Sequence, residues 1–183
     1  MGRYYHGDIE GKFWFAVQDS RDASHFGGQE SPIVDEESDE AVGSHYIFTK
    51  EDLPDIQDAL DRCLAGLGDN KEKLDDFFDN CTSYSDDQVA KHLEIEGEER
   101  EVKMLTLAML MLYARLGLGE KIKACVEKNG QCEFEADYYW LWQYTLQHKN
   151  PKSSIFQRWQ IETNLFVLLQ HCWNQDISLN LSE

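Results

Sequence analysis

The stretch RYYHGDIEGKFWFAVQDS, residues 3–20, holds a compact set of side chains capable of chemistry: His6, Asp8 and Glu10 at two-residue intervals, then Phe13, Trp14 and Phe15. On an extended strand, residues two apart project from one face about 6.6 Å from each other. At that spacing His6 and Asp8 suit an oriented imidazole or a shared metal ion, with Glu10 as a third group. The same alternation describes the wet face of a hairpin, and no fourth ligand is spaced nearby. A small metal-dependent or hydrolase-like centre at His6, Asp8 and Glu10 is therefore the alternative reading rather than the leading one.

Other chemistry has little support. The serines and cysteines lack a G-x-S-x-G or Cys-His signature. GLGDNKEK and RLGLGEKIK carry glycines ahead of lysines but complete neither phosphate-binding fingerprint. Five cysteines, an odd count with no C-x-x-C pair, suit reduced thiols better than a disulfide framework or a zinc site. No cofactor and no metal is expected.

Charge points towards a partner. The chain has 183 residues, 35 Asp plus Glu against 17 Lys plus Arg, and a net charge of −18. Residues 1–101 carry 27 acids and 9 bases, whereas residues 102–183 carry 8 of each. Such a field disfavours direct nucleic-acid binding and adsorption to anionic lipid, and it favours a basic protein partner. Asp52, Asp55, Asp58 and Asp61 recur every third residue, one charge per about 4.5 Å of helix axis. With Asp75, Asp76 and Asp79 on the next helix they form the expected partner-binding surface, one that could imitate the charge of a nucleic acid. A second, apolar docking face is expected at Tyr138, Tyr139, Trp140 and Trp142, in the neutral half. The leading functional reading is thus a non-enzymatic interaction or inhibitory module.

These residues need elements to hold them. Alternation over residues 5–10 predicts a strand with Tyr5, Gly7 and Ile9 on one face, a turn at Glu10-Gly11, and a second strand over Lys12–Gln18. Residues 27–44, with six acids and no base, read as a mobile acidic loop, and HYIFT as a third strand. Leu53, Ile56, Leu60, Leu64 and Leu67 predict a helix capped by Asp52 and ended by Gly68. Leu74, Phe77 and Phe78 mark a second helix, and Ser85 with Gln88 a capping box for a third. A long helix is expected near 98–116, with Gly117 and Gly119 as terminators, then helices near 119–129, 133–148 and 154–173.

The apolar run Met104–Ala114 has 11 residues, short of the roughly 20 that span a bilayer, so it reads as a buried central helix. MGRYYHGDIE has no signal-peptide core, which favours a cytoplasmic protein. The fold expected is α+β and predominantly α-helical. It is one domain over 1–183, with a small antiparallel β element (1–49) packed on a bundle-like body of six or seven helices (50–183).

Overall fold

The structure, a computed structural model, describes residues 4–14, 17–36, 39, 41–81 and 83–137. The chain divides into two compact units, Met1–Tyr139 and Trp140–Glu183, and the described residues all belong to the first. That unit is a five-stranded, wholly antiparallel sheet with four α-helices among the described residues. It corrects the expectation of a small β element on a bundle of six or seven helices.

The strands are β1 (Tyr4–Gly7), β2 (Gly11–Lys12), β3 (Gln29–Val34), β4 (Ala41–Thr49) and β5 (Gln131–Asp137), in the order β2-β1-β5-β4-β3. Two hairpins, β1–β2 and β3–β4, flank a central strand that comes last in the described chain. β5 pairs with β1 through Tyr5↔Ala136 and with β4 through Tyr46↔Phe134. Its alternation is complete: Cys132, Phe134 and Ala136 are buried, and Gln131, Glu133, Glu135 and Asp137 face out. Gly7, at φ +142°, lets β1 approach this strand, because a Cβ there would sit 2.6 Å from the Glu133 carbonyl oxygen and 2.7 Å from the Phe134 Cα.

Three further expectations are corrected. The acidic stretch 27–44 contains β3, which pairs with β4 from Gln29↔Ile47 to Val34↔Ala41. Pro32 is tolerated because β3 is an edge strand with one side unpaired. The second strand is only Gly11–Lys12, and Phe13 behind it is fully buried because the chain dives into the core there. The helix expected near 133–148 begins instead as β5, whereas the one near 154–173 lies outside the described residues.

The helices are α1 (Leu53–Leu67), α2 (Asn70–Asp79), α3 (Asp86–His92) and α4 (Glu99–Asn129). α1 buries Ile56, Ala59, Leu60, Cys63 and Leu67, while Leu64, expected inside, is 41% exposed. Gly68 ends α1, and the Ser85–Gln88 capping box opens α3. α4 runs unbroken for 31 residues through Gly117 and Gly119. Its most buried part is 114–119 rather than the expected 104–113. By length and composition α4 could cross a membrane; here its Leu110, Ile122 and Val126 lie fully buried in the core. Gly130, left-handed at φ +89°, turns the chain from α4 into β5. The core beneath the sheet stacks Tyr46, Phe48 and Phe134, with Phe48 and Phe134 centroids 6.1 Å apart.

The two α4 glycines differ physically. A Cβ on Gly119 would collide with the Phe26 ring and stand 2.8 Å from a Leu60 methyl, so the helix passes there only without a side chain. A Cβ on Gly117 would meet nothing within 4 Å. Gly119→Ala should therefore lower stability by about 1–3 kcal/mol through overpacking. Gly117→Ala should raise it by up to about 1 kcal/mol through helix propensity. Melting temperatures moving in opposite directions for the two variants check this.

Candidate functional site

The His6, Asp8 and Glu10 trio does not converge. His6 Nε2 lies 3.3 Å from Glu135 Oε2 on β5, with both side chains at least half exposed. Asp8 pins the end of β5: its backbone N–H donates to the Glu133 carbonyl at 2.8 Å, and its carboxylate accepts the Glu133 N–H at 2.9 Å. Glu10 is exposed beyond the strand. His45 on β4 pairs with Glu133 at 2.9 Å, so the open face of the sheet carries two His–Glu pairs strung across β5. Among the described residues no group of three or more His, Cys, Asp or Glu has the arrangement to hold a metal ion.

The acidic residues divide by what holds them. Asp52 makes no side-chain cap bond to α1, which corrects the expectation that it caps this helix; its carboxylate accepts from the Thr49 N–H at 2.7 Å and the Thr49 hydroxyl at 2.9 Å, completing a capping box for the short turn before α1. Asp75 accepts from Lys71 Nζ at 2.5 Å and the Tyr113 hydroxyl at 2.9 Å, tying α2 to α4. Lys71 holds the Asp75 carboxyl below the usual range, and burial together with Asp75 pushes Tyr113 up to about 12. Asp55, Asp58, Asp61, Asp76 and Asp79 are exposed. Asp61 accepts from Gln57 at 2.7 Å and Asp76 from Asn80 at 3.4 Å. Tyr138, Tyr139, Trp140 and Trp142 lie outside the described residues.

Two arrangements escaped the sequence reading. The first is a buried ion pair, in which Arg115 Nε and Nη2 donate to Asp22 Oδ1 at 2.9 and 2.8 Å. Burial raises the Asp22 carboxyl, and Arg115 pulls it back. Burial, then Arg115 and Arg62, push the neighbouring His25 down to about 4. The signal was present, since Arg115 is the lone charge in the apolar run MLMLYARLGLG.

The second is a cleft of about 250 Å³ where Lys12 of β2, Lys71 of α2 and Lys121 of α4 meet the rings of Tyr5, Trp14 and Tyr113. Trp14 is itself braced edge-on by Phe78 at 4.9 Å. Sequence distance hides this site, because its lysines are spread from residue 12 to residue 121.

No family model, no curated protein and no solved structure matches the chain. Its chemistry has to be read from its own side chains. Cys63, Cys125 and Cys132 are free and buried, and burial holds Cys63 and Cys132 in the protonated form, which disfavours a thiolate nucleophile.

The ion pair and His25 set two expectations. Asp22→Ala strands a buried guanidinium and should cost about 3–5 kcal/mol, while Asp22→Leu with Arg115→Met should recover most of it. Because the His25 pKa is lowered from 6.5 to about 4, the folded state prefers the neutral ring. That stability is complete above pH 6.5 and is lost as the pH falls towards 4. Solvent at the exposed ring keeps its size below about 1 kcal/mol. Denaturant melts of wild type and His25→Gln should agree above pH 6.5, where the ring is as uncharged as Gln, with the wild type dropping below the variant as the pH falls towards 4.

Proposed function

We propose that this protein is a non-enzymatic binding module whose acidic helical surface engages a basic protein partner, with imitation of nucleic-acid charge as its most specific form. The observation that carries this reading is the exposed row Asp55, Asp58 and Asp61 on α1, in a chain whose acids outnumber its bases by 35 to 17. Arg21 pairs with Asp19, Lys71 with Asp75, Lys73 with Glu94, Arg115 with Asp22 and Lys123 with Glu127. Each of these pairs joins one base to one acid, so the surplus of acids is untouched by them.

The most regular part of that surplus is Asp55, Asp58 and Asp61 on the outer face of α1. Their axial spacing of about 4.5 Å approaches the axial rise of about 3.4 Å per phosphate on one DNA strand. Asp52 and Asp75 drop out of the expected ladder, because each is tied to structural partners. Asp76 and Asp79 of α2 remain exposed. At physiological salt the screening length is about 8 Å, so only a compact cluster of this kind contributes strongly at a contact. The His6, Asp8 and Glu10 alternative is less favoured, since two of its members are engaged with β5.

The test is affinity for a basic partner recovered by cross-linking, measured over a salt series. Association should slow as salt rises, and Asp55→Asn, Asp58→Asn and Asp61→Asn together should lower the on-rate by about tenfold. Far-ultraviolet dichroism should stay unchanged, because exposed like charges contribute little to the fold. Duplex DNA should compete for the partner if mimicry holds. An affinity indifferent to salt and to the three substitutions would overturn the acidic-surface reading.

A further inference from the structure

We propose that the cleft between β2 and α4 is a binding site for a small planar organic anion, a single-ring aromatic carboxylate being the class that fits, in addition to any protein partner. The first observation is how two ammonium groups of the cleft are held. Acids outnumber bases by 35 to 17, yet neither Lys12 nor Lys121 has a carboxylate within 4.0 Å among the described residues. Lys121 Nζ instead donates to the Tyr5 hydroxyl at 2.9 Å and lies 5.4 Å from the centre of that ring. Lys12 Nζ lies 5.9 Å from the Tyr4 ring centre. An ammonium whose hydrogen-bond partner is a hydroxyl keeps protons to offer, and the Tyr5 hydroxyl, accepting from Lys121, has its own proton to give an incoming anion.

The second observation is independent of charge. Gly117 lies in the cleft wall, in the interior of α4, where glycine is disfavoured against alanine. Gly119 has a steric reason in Phe26, whereas Gly117 has open space where a side chain would be. The bare helix backbone at Gly117 leaves room for a flat body, and the Trp14 ring supplies an aromatic wall on the same cleft. A volume of about 250 Å³ lies just under the usual range for drug-sized ligands and suits one ring with its charged group.

Local charge outweighs the global field here. The cleft is lined by three lysines against Asp75 and Glu120; Lys71 and Asp75 neutralise each other, which leaves Lys12 and Lys121 against Glu120. At about 0.15 M salt, charges much farther than 8 Å are screened.

The experiment is a titration of the full chain with benzoate, and separately with inorganic phosphate, followed by amide and indole NMR. Benzoate should shift the Gly117 and Leu118 amides and the Trp14 indole N–H saturably. Lys121→Gln should weaken that binding by about tenfold or more. Gly117→Ala should weaken it similarly while keeping a melting temperature at or above that of wild type, which separates a filled site from a damaged fold. Benzoate shifts that fail to saturate, undiminished affinity in Gly117→Ala, or equal affinity for phosphate would each overturn the proposal. None of these results bears on the acidic surface of α1, which is tested with a different partner and different residues.

Discussion

The Arg115–Asp22 pair is the constraint around which the rest of the unit is arranged. A guanidinium taken out of water costs several kcal/mol unless its hydrogen bonds are remade inside. Here one carboxylate oxygen takes two of them. The pairing fixes the short 3-10 turn Asp22–Phe26 against α4, and Phe26 then packs where Gly119 leaves space. The chain just before it is held by polar bonds of the same kind. Gln18 donates to the Ala114 carbonyl at 3.2 Å, Ser20 donates to the Asp137 carbonyl, and the Tyr46 hydroxyl donates to the Ser20 carbonyl at 3.2 Å. One irregular segment thus ties the long helix to β4 and β5, which explains why its polar groups are buried at all.

The two edges of the sheet are protected in different ways. β2 is two residues long and offers little ladder to a foreign strand, and β3 carries Pro32 and the exposed Glu30. Short strands, proline and charge are the usual means of stopping edge-to-edge association. The acidity of residues 27–44, which looks like a reason for disorder, is compatible with an edge strand that gains its order from β4. Ser44 and Tyr46 of β4 both donate to the Glu30 carboxylate, at 2.6 and 3.1 Å, so one of those acids is a structural acceptor.

What could be read beforehand was whatever depends on local signals. α1 with its Gly68 stop, the Ser85–Gln88 box and the inward-facing Tyr5 and Ile9 follow from caps and periodicity within a few residues. What could not be read depends on distant partners. β5 alternates strictly, but it is only 7 residues long, and Phe134 also falls in helical register with the aromatics that follow it. The place of Gly119 inside α4 is set by Phe26 and Leu60, far away in sequence. At the candidate sites, the spacing of Asp52 and Asp75 matched a surface ladder, while their actual partners, Thr49, Lys71 and Tyr113, give both residues internal duties. The lysine cleft had no local signature at all.

The central position of β5 also sets an order of events during synthesis. β4 ends at Thr49 and β5 begins at Gln131, so a ribosome adding about 5–20 residues per second takes on the order of 4–16 s to bridge the gap. During that interval β1 and β4 each present the inner edge that β5 will later fill. The newborn chain therefore spends seconds with two unsatisfied strand edges and their aromatic faces uncovered, an opening for chaperones and for mispairing between neighbouring chains on one message.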